Sequence, residues 1–432
     1  MARIAQQRFP WEEIEALGDL ERLQLLLDHL PDAELVRQLE RRRGRGRNDY
    51  PVRAVWNSLL AGVVFQHPSI ASLRRELGRN AQLRRLCGLD RVPPACVYSR
   101  LQRQLQQNPQ LSAMFVELTR QLGQLLPDFG QCLAMDGKAL ASYAQPPAKE
   151  AAAKPADGRR ETEAEWGVKS YKSQLPTGEV REHKVSWFGF RLHLLVDAKY
   201  ELPLAYLVTP AANSEVKCAH QLLDELKAEQ PWLLERAERW LGDRAYDDSK
   251  LLIRLWDDHQ IKPVIGIRNC WQDGEATRLL PGQENVVYDY QGTVYCHCPV
   301  SGIRRTMAYG GFEQDRNTLK YRCPAQHYGL ECKGMQACPV GQALRIPLAT
   351  DRRIFVPIAR SSYKWERAYA QRTAVERVNS RLDRVFGFEE HFIRGLKKMQ
   401  LRCTLALSVM LAMALGRVRT QRMDRLRSLV AA

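Results

Sequence analysis

Two aspartates and one glutamate are the residues best placed by type and spacing to do chemistry. Asp136 closes the apolar run Cys132-Leu-Ala-Met135, and Asp243 closes Trp240-Leu-Gly242. Each is expected at the C-terminal end of a short strand, where α/β folds commonly place reactive groups. Glu376 lies in a basic segment with helical spacing, and steps of three and seven residues set Tyr369, Arg372 and Glu376 on one face. Carboxylates arriving from two strands and a helix make an oxygen-rich site suited to hard divalent cations such as Mg²⁺. Two such ions about 4 Å apart would activate a water or a 3′-hydroxyl and stabilise the departing oxygen in phosphodiester chemistry. Singly, each acid has a plainer reading, the aspartates as turn caps and the glutamate as an intrahelical ion-pair partner. The combination is what points to a site.

The elements that must position these acids follow a recognisable order. After Cys132–Met135, Trp187–Val196 and Leu202–Thr209 are expected as a hairpin, and Asn213 or Ser214 caps a helix running to Ala228. Trp240–Asp243, a helix near Ser249–Gln260 and a strand at Ile261–Ile267 complete the order β, β, β, α, β, α, β. A meander followed by alternation with helices predicts a mixed sheet in an α/β domain. His193 sits mid-strand among leucines and is expected to be structural, as are Trp187, Phe188 and Phe190. Gln145–Gly158 is low in complexity and expected as a surface insertion. One helix is expected from about Lys364 to Phe386 and another over Ile393–Arg417, with the apolar stretch near Leu405–Leu415 buried.

The chain has 432 residues and a net charge of +16, which favours a polyanionic partner. Over half of that charge lies in Arg360–Arg427, where sixteen lysines and arginines stand against six carboxylates. The first 127 residues are expected to be helical: Pro51–Phe65, a helix capped by Ser69 or Ser72, and Cys96–Gln107 after Pro93-Pro94. That pattern fits either a helix-turn-helix module or a helical packing domain. Arg41, Arg42, Arg43, Arg45 and Arg47 fall within seven residues interleaved with glycine, as a flexible phosphate-gripping arm or a solvated loop. The composition and the mostly polar start argue against a membrane protein, a secreted mini-protein and a disordered chain.

Leu133-Ala-Met-Asp136-Gly-Lys138, Leu241-Gly-Asp243-Arg-Ala-Tyr246-Asp247 and Tyr369-Ala-Gln-Arg372-Thr-Ala-Val-Glu376 resemble the three signature blocks of bacterial insertion-sequence DDE transposases. The resemblance covers roughly Gln131–Arg417. It implies an RNase H-like mixed sheet flanked by helices, with an all-helical N-terminal domain and an insertion between the fifth strand and the glutamate helix. The corresponding division is 1–127 for DNA binding, 128–269 and 351–432 for the catalytic core, and 270–350 for a small Cys-rich, β-containing insertion. By the same resemblance, Asp136 bridges two Mg²⁺ ions (Mn²⁺ as substitute), while Asp243 and Glu376 each complete one side. Tyr369 and Arg372 contact the phosphates of the transposon end. The family places a lysine seven residues after the glutamate, but here that position is Asp383. Arg381 and Arg384 flank it as alternative basic contacts, and Arg384 is also an ion-pair partner for Asp383. The implied activity is cleavage at terminal inverted repeats and joining of the 3′-hydroxyl to target DNA, by a homodimer in the bacterial cytoplasm. An RNase H-like nuclease without strand transfer and a DNA-binding regulator derived from a transposase are the alternatives.

Eleven cysteines without an export signal argue against a disulfide framework. Five of them, Cys296, Cys298, Cys323, Cys332 and Cys338, crowd the insertion. Thiolates at this density suit a structural zinc, but the spacing matches no standard finger, and plain thiols are the other reading.

Overall fold

The computed structural model describes residues 18–45, 48–106, 108–146, 161–174, 180–336 and 338–427, the side chains of 171–174 and 180 excepted. Seven helices come first: α1 (Glu21–His29), α2 (Ala33–Arg43), α3 (Val52–Val64), α4 (Ile70–Arg79), α5 (Ala81–Leu86), α6 (Ala95–Leu105) and α7 (Pro109–Leu125). Several begin on the caps that their sequence supplies. Ser69 accepts from the Ser72 amide at 3.1 Å to open α4, and Asn108 accepts from the Gln110 amide at 3.0 Å to open α7 with Pro109 in its first turn.

The sheet uses β1 (Cys132–Ala141), β2 (Glu165–Gln174), β3 (Val180–Asp197), β4 (Leu202–Pro210), β5 (Arg239–Gly242) and β6 (Lys262–Ile265). Its core order is β4-β3-β1-β5-β6, with β1, β5 and β6 parallel and β3 antiparallel to both β1 and β4. Helices α8 (Glu215–Glu229), α9 (Pro231–Arg236) and α10 (Ser249–Ile253) are inserted among these strands. This is the RNase H-like arrangement, and apart from the additional strand β2 the order of elements agrees with the sequence. Two strand expectations need correction. β1 runs on through Ala141 instead of ending at Asp136, because β3 continues to pair with it as far as Gly189. The outer half of β3 also pairs with β2 in a ribbon, on which Trp166, Val168 and Val185 are exposed. With apolar groups left in solvent, that ribbon lacks the inside-outside alternation by which strands are usually recognised. Most of Gln145–Gly158 lies outside the described residues.

Seven short strands over 278–347 and a helical turn, α11 (Pro324–Tyr328), form two small sheets around a second core that includes Val286, Val294, Tyr321 and Phe355. Arg353 fastens this region to the sheet by donating to the buried carboxylate of Asp247 at 2.6 Å. The chain returns through α12 (Tyr363–Ala370), α13 (Ala374–Phe386) and α14 (Leu396–Arg419).

Between Cys403 and Gly416 helix α14 carries no charged side chain and is apolar nearly all round, so that stretch can only be buried. It is long and apolar enough to cross a membrane, yet 89% of its most apolar stretch is covered by the fold. Against it pack α1, α3, α7 and β4, so the N-terminal helices and the sheet share one hydrophobic core. The helices approach closely at Gly416, where a Cβ would stand 2.7 Å from Leu25 Cδ1.

His193 is wholly buried on β3, its Nε2 3.0 Å from Thr209 Oγ1. Burial, and then Arg191 and Lys169, push its pKa down to about 3. The unfolded chain takes up a proton near the ordinary value of about 6.5, and the folded chain resists it. This contribution is therefore complete above about pH 6.5 and is lost as the pH falls towards 3, costing about 3 kcal/mol by pH 4.5. In urea titrations, His193→Gln is expected to flatten the loss of stability between pH 7 and 4.5. An unchanged slope would mean that His193 does not stay neutral.

Candidate active site

The pairing of β1 with β5 brings the two aspartates together. Ala134 lies opposite Leu241 in parallel register, and Asp136 and Asp243 each stand two residues further on. They are therefore neighbours where β5 stops, although Asp136 is mid-strand and not at a strand end. β5 stops because Asp243 turns the chain, its Oδ1 accepting from the Ala245 amide at 2.8 Å to start the turn Arg244–Tyr246. Beyond Gly242 this edge of β1 has no parallel partner, so groups from both faces of the sheet reach the same place.

Asp136 is held above the usual carboxylate range, chiefly by burial and further by the like charge of Asp243. Lys169 on β2 opposes that shift, its Nζ donating to the Gly137 carbonyl at 2.7 Å. Glu215, the first residue of α8, lies against the backbone at Gly137, where a Cβ would meet its Oε1 at 2.8 Å. Its Oε1 accepts from Arg191 Nη1 at 2.7 Å, and both side chains are largely buried. Burial raises the Glu215 carboxyl, and the charges of Asp243 and Asp136 raise it further. Lys169, Arg191 and Glu215 were not legible as site residues. The one available signal was Arg191, a cation inside an otherwise apolar strand.

The expected single helix over 364–386 is divided. Thr373 donates its hydroxyl back to the Ala370 carbonyl at 3.0 Å, and Gln371–Thr373 is a 3₁₀ turn between α12 and α13. Tyr369, Arg372 and Glu376 still keep company across the break. Arg372 lies 5.7 Å over the Tyr369 ring, and its Nη1 stands 2.9 Å from Glu376 Oε1. Tyr369 is also stacked on Trp365 at 4.5 Å. The charge of Arg372 acts on Asp136 as well as on Glu376, with which it pairs. The Glu376 side chain is 51% exposed.

Among the described residues, no group of three or more His, Cys, Asp and Glu side chains stands close enough to hold a metal ion. The β1–β5 register makes Asp136 and Asp243 neighbours, and Glu376 is paired with Arg372. The donor set still has the chemistry of a Mg²⁺ site, since Mg²⁺ binds through one or two carboxylates and keeps several waters. Two adjacent carboxylates, one of them destabilised by the other, also favour a cation between them.

Other expected contacts are redistributed. Arg381 is committed to Glu201, donating to its carbonyl and lying 3.4 Å from its Oε2, with 14% of its side chain exposed. It is a partner of the fold and not a free phosphate ligand; Arg384 is exposed. Asp383 pairs with Lys138 of β1 at 2.7 Å instead of with Arg384. Arg41, Arg42 and Arg43 belong to the last turn of α2, where cations complement the helix dipole, so this part of the expected arm is helical. Arg45 follows in a turn, and Arg47 lies outside the described residues.

Cys296, Cys298, Cys323, Cys332 and Cys338 do converge, lining one cavity of about 20 Å³. Among the described residues, no three of them are placed to hold a metal ion together. Two of the thiols are engaged otherwise, Cys298 accepting from the Ser301 amide and Cys338 from Asn285 Nδ2, each at 3.4 Å.

Two families match the chain. Residues 159–412 match the family described as the transposase DDE domain, and residues 3–104 match a transposase domain (DUF772). The first match includes Asp243 and Glu376 but begins after Asp136, whose place rests on the β1–β5 register. No curated protein matches the chain. Among solved structures, the piggyBac transposase synaptic complex with hairpin DNA is similar at a TM-score of 0.40 and 10% identity. The alignment covers 96% of this chain and 80% of that one, and at this TM-score the likeness carries no assignment. With more than half of its residues inside the first match, the chain belongs to the transposase DDE-domain family.

Proposed function

We propose that this chain is an active DNA transposase that binds terminal inverted repeats, cuts the strands and joins the 3′-hydroxyl ends to target DNA. The observation that carries this reading is the placement of Asp136 beside Asp243 by the β1–β5 register. Two Mg²⁺ ions bound there supply a nucleophilic oxygen and stabilisation of the leaving oxygen in phosphodiester chemistry. Asp136 and Asp243 hold the metal, and Lys169 offsets their charge from the β2 ribbon. Tyr369 and Arg372 hold the DNA end. A phosphate offers Arg372 a charged, bidentate partner in place of Glu376. Exchange of the one for the other releases Glu376 to the aspartate pair, so end binding completes the carboxylate set. We assign 1–127 to end recognition, 270–350 to an inserted module, and 128–269 with 351–432 to the catalytic core working as a homodimer on paired ends.

The deciding experiment supplies the full chain with Mg²⁺, an inverted-repeat duplex taken from beside its gene and a second duplex. Cleavage at the repeat followed by joining to the second duplex is the expected result. Cleavage without joining would leave a nuclease, and binding without cleavage would leave a regulator.

The basic end of α2 gives a separate expectation. Arg41, Arg42 and Arg45 are exposed, and each phosphate that a cation neutralises adds about 0.9 to the steepness of log K against log salt. Replacing all three by alanine in the full chain should therefore lower that steepness by up to about 2.7. An unchanged slope in a filter-binding or anisotropy titration would remove α2 from the DNA interface.

A further inference from the structure

The geometry points to Glu215 as a fourth acid of the catalytic centre, one that holds metal-bound water in company with the Tyr246 hydroxyl instead of ligating the metal directly. This rests on the reading of Asp136 and Asp243 as the metal-holding pair. Gly137, the next residue after Asp136, is the place where the Glu215 carboxylate meets the sheet. Any side chain at 137 would displace it, since a Cβ there falls 2.8 Å from Oε1. Successive residues of a strand face opposite ways. Asp136 therefore projects to the α13 side, with Lys138 and Asp383, while Glu215 approaches from the α8 side. The two sides meet at the open edge of β1 past Gly242.

Tyr246 is the independent sign that something else belongs there. Helix α8 packs against the turn that carries it, and the residue is wholly buried. Its hydroxyl has no hydrogen-bond partner among the described residues, yet Glu215, Asp136 and Asp243 all act on it electrostatically. Leaving a buried hydroxyl unpaired costs about 1–3 kcal/mol. Water carried by a Mg²⁺ ion would satisfy it, because this ion keeps several of its waters and those waters donate to nearby oxygens. The three carboxylates are not spaced to grip one ion together, which is why Glu215 is assigned to the water and not to the metal. Arg191 fixes it for that role, through the 2.7 Å bond to Oε1.

The test is Mn²⁺ binding to the full chain without DNA, followed by the loss of the free Mn²⁺ signal in electron paramagnetic resonance. Thermal unfolding of the metal-free protein is measured beside it. Glu215→Gln should weaken Mn²⁺ binding by about 10–100-fold, the range for loss of an outer partner, while the metal-free protein unfolds near the parent temperature. Tyr246→Phe should weaken it in the same direction. If Glu215→Gln does not fold, Glu215→Asp keeps the charge for Arg191 and withdraws the carboxylate by one methylene, and the same weakening is expected. Parental Mn²⁺ affinity in a folded Glu215 variant would overturn the assignment. Asp136→Asn separates the two readings: if it too leaves Mn²⁺ binding unchanged, the metal centre itself is wrong, and if it alone abolishes binding, only the role of Glu215 falls.

Discussion

Asp136→Asn and Asp243→Asn are each expected to reduce Mg²⁺-dependent strand cleavage by more than about 100-fold, beyond what loss of an outer partner costs, with binding to the end duplex retained. The two residues stand side by side because Ala134 pairs with Leu241 and the chain advances two residues from each. Replacing either carboxylate by an amide removes half of the negative charge that the aspartate pair would offer the metal, without touching the arginines proposed to meet the phosphates. The substitutions should not weaken the fold. Burial and the like charge of Asp243 both disfavour the charged form of Asp136, so a neutral isostere relieves that penalty, and an equal or higher unfolding temperature is expected. Cleavage assays with the end duplex, run beside an anisotropy titration, check both halves. Retained cleavage in either variant would remove the pair from the active site, whereas loss of binding and cleavage together would point to a general defect.

How much of this could be read from the chain alone depends on how local the signal was. Asp136 and Asp243 each follow a short apolar run and so were visible as candidates, although only Asp243 closes its strand, and the order of strands and helices, β2 apart, followed from the same periodicity. Their adjacency was not visible. It comes from a parallel pairing between segments more than a hundred residues apart, which no local pattern encodes. The same reason hid Lys138 and Asp383, partners across 245 positions. Asp383 looked like a defect in a basic motif until β1 supplied the missing cation from the other side. Glu215 was hidden because an acidic residue in the first turn of a helix is already accounted for by the helix dipole. The β2 ribbon, and with it Lys169, was hidden because its apolar side chains stay in solvent. The resemblance to a transposase helix singled out Glu376 and Arg372, but the helical arithmetic under it was too simple, since the 3₁₀ turn Gln371–Thr373 divides the helix between Tyr369 and Glu376.

Glu376→Gln should abolish cleavage, by more than about 100-fold on the same reasoning, and Asp383→Asn should retain most of it. The two acids lie seven residues apart on α13, about 10 Å along the axis. Asp383 faces Lys138, which is two residues past Asp136 on the same face of β1 and about 7 Å further along the strand. Arg372 at the other end of this segment acts on Asp136 and holds Glu376. The N-terminal end of α13 therefore lies towards the aspartate pair and Asp383 lies away from it. The stability effects should run the opposite way to the catalytic ones. Glu376 is half exposed, and an exposed pair such as Arg372–Glu376 is worth under about 1 kcal/mol, so Glu376→Gln should unfold at the parent temperature. Lys138 is only 9% exposed, and weakening its pairing with Asp383 should lower stability measurably. Asp383→Lys, which would restore the basic residue of the family pattern, should be the worst of the three, because it sets two ammonium groups against each other beside β1. Glu376→Gln should also leave Arg372 without its ion-pair partner, so end binding should be at least as tight as in the parent. The reverse catalytic ranking, with Asp383→Asn inactive and Glu376→Gln active, would mean that the acid completing the site comes from two turns further along α13. That would in turn require Lys138, and not Arg372, to be the cation displaced by the DNA end.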